Sequence, residues 1–348
     1  MKVAIITDQH FGARKSSRVF HDFFKKFYDN VFFPTLEKRG IDTVLDLGDT
    51  YDNRRALDLW SADWSKQNYF NKLKEMGVYI HALVGNHTAY FKDTNDINTL
   101  TGIVGEYDNI SIYDRATEVE IGGLPILFLP WINQQNKEES YAAIENSKSA
   151  VAMGHLELNG FEAHRGYIMD HGDSTAPYQK FDKVFSGHYH RKSTRGNITY
   201  LGNPYQIYWN DYRDPRGFHI FDTETLELEF IQNPYEIYQK IYYHEDNLKT
   251  SLFKFQEYTN SFIKIIVEKK TKTDKFEFFI SQLYAAGVHE IKVIEDPSFE
   301  QDLSEEIDIE KEDTLTILER YVDDMEHSDK SALKNILKSL YVEALELV

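Results

Sequence analysis

Five short apolar runs in this chain each stop on residues that a metal ion would take as ligands. The first, Val3-Ala4-Ile5-Ile6, leads through Thr7 into Asp8-Gln9-His10-Phe11-Gly12. It is β-branched and has no 3.6-residue period, so it reads as a strand buried on both faces. The second, Thr43–Leu47, runs into Gly48-Asp49-Thr50-Tyr51-Asp52, and the third, Val78–Val84, into Gly85-Asn86-His87. The fourth, Ala150–Met153, ends in Gly154-His155, and the fifth, Lys183–Phe185, in Ser186-Gly187-His188-Tyr189-His190. Helical stretches at Ser16–Arg39 and about Leu57–Met76 separate the first three, which is the strand–helix alternation of a parallel sheet. Open α/β sheets bind ligands just beyond the C-terminal ends of their strands. One Asp after a buried strand is an ordinary turn former. Ligand-type residues in phase at five strand ends are not.

The chain has 348 residues and no Cys, so disulfides and thiolate metal sites are excluded. A metal must then use His, Asp, Glu or Asn, which favours manganese, magnesium, iron or a His-rich zinc site. No apolar run approaches the roughly 18–20 residues that span a bilayer. The N-terminus enters a strand directly, so neither a membrane segment nor a signal peptide is expected, and the location is read as cytoplasmic. The net charge of -18 argues against nucleic-acid binding by bulk electrostatics. The charge is uneven, however: residues 301–348 hold 14 acidic groups against 5 basic ones. A nucleic-acid site elsewhere would need local lysines or bound cations.

The Ser16–Arg39 stretch carries Val19, Phe20, Phe23, Phe24, Phe27, Tyr28, Val31 and Phe32 at helical spacing, with a break expected at Pro34. Its wide apolar face suits packing on the sheet, with a homodimer seam as the alternative. Ile110–Tyr113, Glu118–Ile121 and Pro125–Leu129 read as a hairpin and meander, and Lys137–Ser147 as a helix. Strands at Ile198–Leu201, Gly217–Phe221 and Leu226–Ile231 close a two-sheet region over 1–234. From 235 to 300 the pattern restarts as a small α+β capping domain with strands Ile237–Tyr243, Phe262–Lys270 and Glu290–Ile294 and a helix at Lys275–Ala286. Lys264, Lys269, Lys270, Lys272 and Lys275 make its basic cluster, read as a candidate DNA contact or as a strand edge kept soluble by lysine. Residues 301–348 read as an acidic linker and two amphipathic helices. Their apolar faces carry Leu318, Tyr321, Leu333, Ile336, Leu337 and Leu340, which suit a partner protein.

Collected in order, the strand ends supply Asp8, His10, Asp49, Asn86, His155, His188 and His190, with His87 beside Asn86. One ion takes about four to six ligands, so seven groups suit two ions about 3.5–4 Å apart. Asp49 is the natural bridge between them.

These motifs resemble the five of the calcineurin-like metallophosphoesterases. Gly154-His155-Leu156-Glu157-Leu158-Asn159-Gly160, Gly187-His188-Tyr189-His190, Tyr200-Leu201-Gly202-Asn203-Pro204 and Asp214-Pro215-Arg216-Gly217-Phe218 narrow the resemblance to the SbcD-type DNA-repair nucleases. That subgroup includes the recombination endonuclease subunits of tailed phages and is related to the eukaryotic double-strand-break repair nuclease. The specific motifs cover residues 1–235. The resemblance implies an α/β/β/α sandwich, with one metal on Asp8, His10, Asp49 and His190 and the other on Asp49, Asn86, His155 and His188. The metal is expected to be manganese, with magnesium as the alternative. His87 matches the family's catalytic histidine and Asp52 the acid that steadies it. It further implies a DNA nuclease, exonucleolytic on duplex ends and endonucleolytic on single strands, working as a homodimer with an SbcC-type ABC ATPase in the host cytoplasm if phage-encoded.

One position departs from the family. Thr88 stands where an acid usually follows Gly-Asn-His, which bears on the loop carrying Asn86 and His87. Two rival functions remain. A phosphatase or nucleotide phosphodiesterase on the same fold is disfavoured because Asn53-Arg54 replaces the Arg-Gly of protein phosphatases, and because Tyr51 is one residue short of the purple-acid position. The other rival is a DNA-end scaffold with weakened catalysis.

Overall fold

The computed structural model describes residues 1–164 and 166–295, and beyond them Val322, Lys330 and Lys334 singly. Residues 1–295 form one compact unit and 296–348 a second. The six apolar residues expected to meet a partner, Leu318 to Leu340, lie outside the described residues. The expected boundary near 235 runs inside the first unit.

The strand–helix alternation takes the following form. β1 (Lys2–Ile6) leads to α1, a continuous rod of three pieces, Arg18–Phe27, Tyr28–Phe32 and Phe33–Arg39. β2 (Thr43–Asp46) leads to α2, again three pieces, Leu59–Ser65, Lys66–Phe70 and Asn71–Glu75. Next come β3 (Tyr79–Leu83), α3 (Thr99–Val104), β4 (Ile110–Tyr113), β5 (Thr117–Ile121), β6 (Leu124–Leu129) and α4 (Lys137–Asn146). β7 (Val151–His155), a small hairpin of β8 (Glu162–His164) and β9 (Tyr167–Ile168), and β10 (Lys183–Gly187) follow. β11 (Ser193–Arg195), β12 (Ile198–Tyr200), β13 (Gly217–Asp222) and β14 (Leu228–Gln232) complete the two main sheets.

One sheet has the order β14-β13-β1-β2-β3-β4 and the other β11-β12-β10-β7-β6-β5. β1 to β4 run parallel, as do β12, β10, β7 and β6. Val3, Ile5, Leu45, Leu47 and Leu83 of the first sheet pack on Ile126, Phe128, Val151, Met153 and Phe185 of the second. The helices cover the outer faces, so the layers are α/β/β/α. Helix-covered parallel strands need apolar side chains on both faces, which accounts for the unbroken apolar runs.

Two expectations change and one alternative is decided. Ile110–Tyr113 is not part of a meander: β4 pairs in parallel with β3, because the short helix α3 makes the crossover that a parallel neighbour requires. Of the three segments, β5 and β6 alone form the antiparallel hairpin. α1 is not broken at Pro34. The turn Tyr28–Phe32 is wound wide, with Phe33 N–H reaching the Tyr28 carbonyl, and Pro34 falls in the first turn of the next piece, where its missing N–H costs little. The aromatic face of α1 is core, since Phe20, Phe24, Phe27, Tyr28 and Phe32 are buried within this chain.

The last sheet, β15 (Tyr238–His244), β16 (Phe262–Lys269) and β17 (Glu290–Ile294), is wholly parallel, with α5 (Thr273–Ala285) as crossover. Phe262 and Tyr238 pack on Phe20 of α1. Among the described residues no helix is long and apolar enough to cross a membrane.

Candidate metal centre

All seven expected ligands sit at or just past the C-terminal ends of β1, β2, β3, β7 and β10, and all are buried. Asp8, His10, Asp49 and His188 hold left-handed backbone angles, φ 53°, 48°, 51° and 86°. Non-glycine residues adopt that conformation at a cost, and such strain concentrates at functional sites. Two glycines of the motifs are there for space. A Cβ on Gly85 would lie 2.2 Å from Asp49 Oδ1, and one on Gly187 would lie 2.0 Å from Thr7 Oγ1.

The donor atoms converge in two main groups, Asp8 with His10 and His190, and Asp49 with His155 and His188. In the first, His10 Nε2 and His190 Nε2 are 3.0 Å apart. In the second, Asn86 Oδ1 lies 2.9 Å from His155 Nε2 and 3.0 Å from His188 Nδ1, while Asp49 Oδ2 lies 3.2 Å from His155 Nε2. Two ligands at right angles around an ion at about 2.1 Å stand about 3.0 Å apart. The spacings are those of a shared cation. Tautomers agree: His155 Nδ1–H donates to the Leu47 carbonyl at 2.8 Å, which leaves Nε2 as the ligand atom.

The electrostatics point the same way. Burial alone would strip His10 and His155 of a proton. The surrounding carboxylates reverse this: Asp52, Asp49 and Asp8 hold His10 above its ordinary value, and Asp49 and Asp8 lift His155 to about 9. Asp49 resists the push of burial because His155, His87 and His10 hold its carboxyl well below the usual range. A pocket that favours a proton on its imidazoles favours a divalent cation between them. Asp49 stands with the second group, and its charge also reaches His10. Those residues fit two oxygen- and nitrogen-ligated divalent ions.

His87 donates its main-chain N–H to Asp49 Oδ1 at 2.8 Å, and its ring stands 5.0 Å from that of His10. Its Nδ1–H donates to an oxygen of Asp52 at 2.5 Å, but that oxygen is the main-chain carbonyl. The Asp52 carboxylate instead faces His10 Nδ1 at 3.1 Å. Asp52 therefore steadies His87 through its backbone and His10 through its side chain. Burial lowers the His87 pKa, with Asp49 and Asp52 opposing it.

Thr88 has a structural answer of its own. Fully buried, its hydroxyl accepts from the Gly85 N–H at 2.8 Å and donates to the Gly85 carbonyl at 3.0 Å, closing the loop that carries Asn86 and His87.

Sequence reasoning missed the layer beneath the ligands. Gln9, between Asp8 and His10, donates to Asp46 Oδ2 at 2.8 Å and accepts from Tyr28 Oη at 2.5 Å. Thr50 Oγ1 also donates to Asp46, whose buried carboxyl is pushed up to about 7. The signal for this layer was a polar Asp46 at the end of the apolar β2 and a polar Gln9 between two ligands.

The candidate DNA lysines do not form one patch. Lys264 is 4% exposed, with Nζ 4.2 Å from the Trp209 ring, so it is a core residue of β16. Lys269 pairs with Asp246 at 2.5 Å, Lys270 pairs with Glu295, and Lys272 is exposed before α5.

No protein-family model matches the chain. The protein of Enterobacteria phage T4 named exonuclease subunit 1 is 33% identical over 316 residues, spanning 89% of this chain and 90% of that one. Among solved structures, an archaeal phosphodiesterase matches 67% of this chain and 100% of its own, with a TM-score of 0.33 and 16% identity. A dimetal phosphatase from Danio rerio matches 63% and 91%, with a TM-score of 0.37 and 10% identity. A Pseudomonas putida nuclease matches 57% and 66%, with a TM-score of 0.25 and 16% identity. Likeness at this level says nothing about activity.

Proposed function

The chain belongs to the family of phage exonuclease subunit 1, the SbcD-like metallophosphoesterases, and from that premise we propose that it is the two-metal DNA nuclease subunit of an SbcCD-like recombination and repair complex. It is a metal-dependent phosphodiester hydrolase. The proposed reactions are exonucleolytic cleavage of duplex ends and endonucleolytic cleavage of single strands, in the cytoplasm of the host. The observation that carries this reading is the convergence of two buried ligand groups with His87 beside them.

Asp8, His10, Asp49 and His190 would hold one ion, and Asp49, Asn86, His155 and His188 the other, manganese in preference to magnesium. Bound there, such a pair neutralises a phosphodiester and lowers the pKa of the attacking water. The chain's own residues do the rest. Asp52 and Asp49 fix the ring and backbone of His87 from two sides, which leaves Nε2 as the atom that would meet the leaving oxygen of a bound phosphodiester. Thr88 keeps Asn86 and His87 at fixed spacing.

The partners proposed are DNA, a second copy of this chain and an SbcC-type ATPase held by residues 301–348. Lys269, Lys270 and Lys272 are proposed to meet phosphates at the edge of the last sheet, Lys264 acting only through packing.

Manganese-dependent degradation of linear duplex DNA by the purified chain, beside a His87→Ala variant, tests the activity. Inactivity on both DNA and a generic phosphodiester would sink the enzyme reading, and cleavage of the small ester alone would favour a non-DNA phosphodiesterase. Deleting residues 301–348 is expected to abolish ATPase binding and spare bare nuclease activity; retained binding would refute that assignment.

A further inference from the structure

Two sequence motifs, Leu201-Gly202-Asn203-Pro204 and Asp214-Pro215-Arg216-Gly217, supply no ligand, yet the segment they bracket lies directly behind one. Residues 202–216 connect β12 of one sheet to β13 of the other. Arg216 is 6% exposed, and its guanidinium is enclosed by four acceptors. Nη1 donates to the main-chain carbonyl of His190 and to Asn203 Oδ1. Nη2 donates to Asp211 Oδ1 at 2.7 Å and to Asp214 Oδ2 at 2.9 Å. The same His190 carbonyl also accepts the Asn203 N–H at 3.3 Å. A Cβ on Gly202 would lie 2.8 Å from it.

The segment grips a second point of the same group. Tyr205 Oη donates to the main-chain carbonyl of Gln9, between Asp8 and His10, at 2.6 Å. The two anchors thus fall on the backbones that carry Asp8, His10 and His190.

At its other end the segment is tied to the last sheet. Gln206 Oε1 accepts from the Ile237 and Tyr238 N–H groups at 2.9 and 3.0 Å, where β15 begins. Gln206 Nε2 donates to the Asp211 carbonyl at 3.2 Å, and Asp211 Oδ2 accepts from the Ile207 and Tyr208 N–H groups. A continuous run of hydrogen bonds therefore joins the first strand of the three-stranded sheet, through Gln206, Asp211 and Arg216, to the backbone of His190.

We propose that Arg216 is a positioning residue for the ion site formed by Asp8, His10 and His190, and that through Asp211 and Gln206 it makes the affinity of that site depend on the seating of the three-stranded sheet. This rests on the two-ion reading above. A guanidinium suits the task because its planar fork satisfies several acceptors in fixed directions, which an ammonium cannot. Groups that orient a ligand from behind typically change metal affinity by 10- to 100-fold when removed.

The test is a manganese titration of the full chain by calorimetry, with electron paramagnetic resonance to follow spin coupling between two bound ions. Wild type is expected to bind two ions in separable steps. Arg216→Ala is expected to weaken one step by about 10- to 100-fold and abolish the coupled signal at manganese levels that fill wild type, leaving the other step in place. Because removing a buried cation beside two carboxylates endangers folding, Arg216→Lys and Gln206→Ala accompany it, with circular dichroism checking each. Arg216→Lys is expected to give an intermediate loss, and Gln206→Ala a smaller one, both in the same step. Folded variants that bind both ions as wild type does would overturn the proposal while leaving the metal centre intact. Equal weakening of both steps would also overturn it, as general loosening. A wild-type chain that binds no manganese would overturn both readings.

Discussion

The metal rim was singled out by its metal-ligating side chains and the last sheet by its lysines, and only the rim brings its cluster together. Its histidines and carboxylates are scattered from Asp8 to His190, yet their donor atoms meet within 4.8 Å in two groups. The five lysines from Lys264 to Lys275 lie within a dozen residues of each other, yet one is core, two are paired with acids and two stand exposed. The difference lies in what fixes position. A ligand at the C-terminal end of a parallel strand is placed by the sheet itself, because every strand of that sheet ends on the same rim. A lysine within a strand points to alternating faces, so nearness in sequence disperses in space.

The comparison can be broken most directly at the rim. Asp49→Asn removes the carboxylate shared by His155 and the His87 backbone, and DNA cleavage is expected to fall by more than about 10³-fold, with weakened manganese binding by calorimetry. His87→Ala is expected to cost roughly 10²–10³-fold in cleavage rate while both manganese steps survive. Loss of metal binding in that variant would make His87 a ligand.

Histidine away from the carboxylates sharpens the contrast. His219 on β13 is buried beside Phe230, and burial, with the Lys192 charge adding to it, holds it down at about 3. Its unfolded value is near 6.5, so below that pH the unfolded chain takes up a proton that the folded chain refuses. This contribution to stability is intact above pH 6.5 and lost as pH falls towards 3, by up to about 3 kcal/mol at pH 4. Denaturant unfolding of His219→Phe in a chelator should therefore depend less on pH between 6.5 and 4 than wild type does.

Smaller effects come next. Thr88→Val strips the loop of both hydroxyl bonds and is expected to cost about 1–3 kcal/mol of stability with some loss of cleavage. On the last sheet, replacing Lys272 by Ala should lower DNA affinity slightly and reduce the salt slope by about 1 if it meets a phosphate. Lys264→Met should change stability and leave the salt slope alone. A slope change there would restore Lys264 to the surface reading.

The rim was legible in the sequence because strand ends are marked locally, by an apolar run followed by Gly, Asp, Asn or His. What escaped was set by distant packing. Nothing near Lys264 announces Trp209, and nothing near Ile110 announces that β4 joins β3 except the easily overlooked helix Thr99–Val104. Pro34 looked like a break because the wide turn that absorbs it has no signature in residue types. Arg216 was visible only as part of a motif without a role. Its importance depends on a carbonyl 26 residues away whose side chain drew the attention instead.

The placement of β13 bears on when activity can arise. β1 lies between β2 and β13, and its antiparallel partner runs from Gly217 to Asp222. A chain emerging from the ribosome thus presents Asp8 and His10 long before the strand that flanks them exists. Pairings so distant in sequence form late, after much loop-closure entropy has been overcome. The metal centre is accordingly complete only after β13 has been made, and a fragment that stops short of Gly217 carries its first ligands on a strand with an open edge.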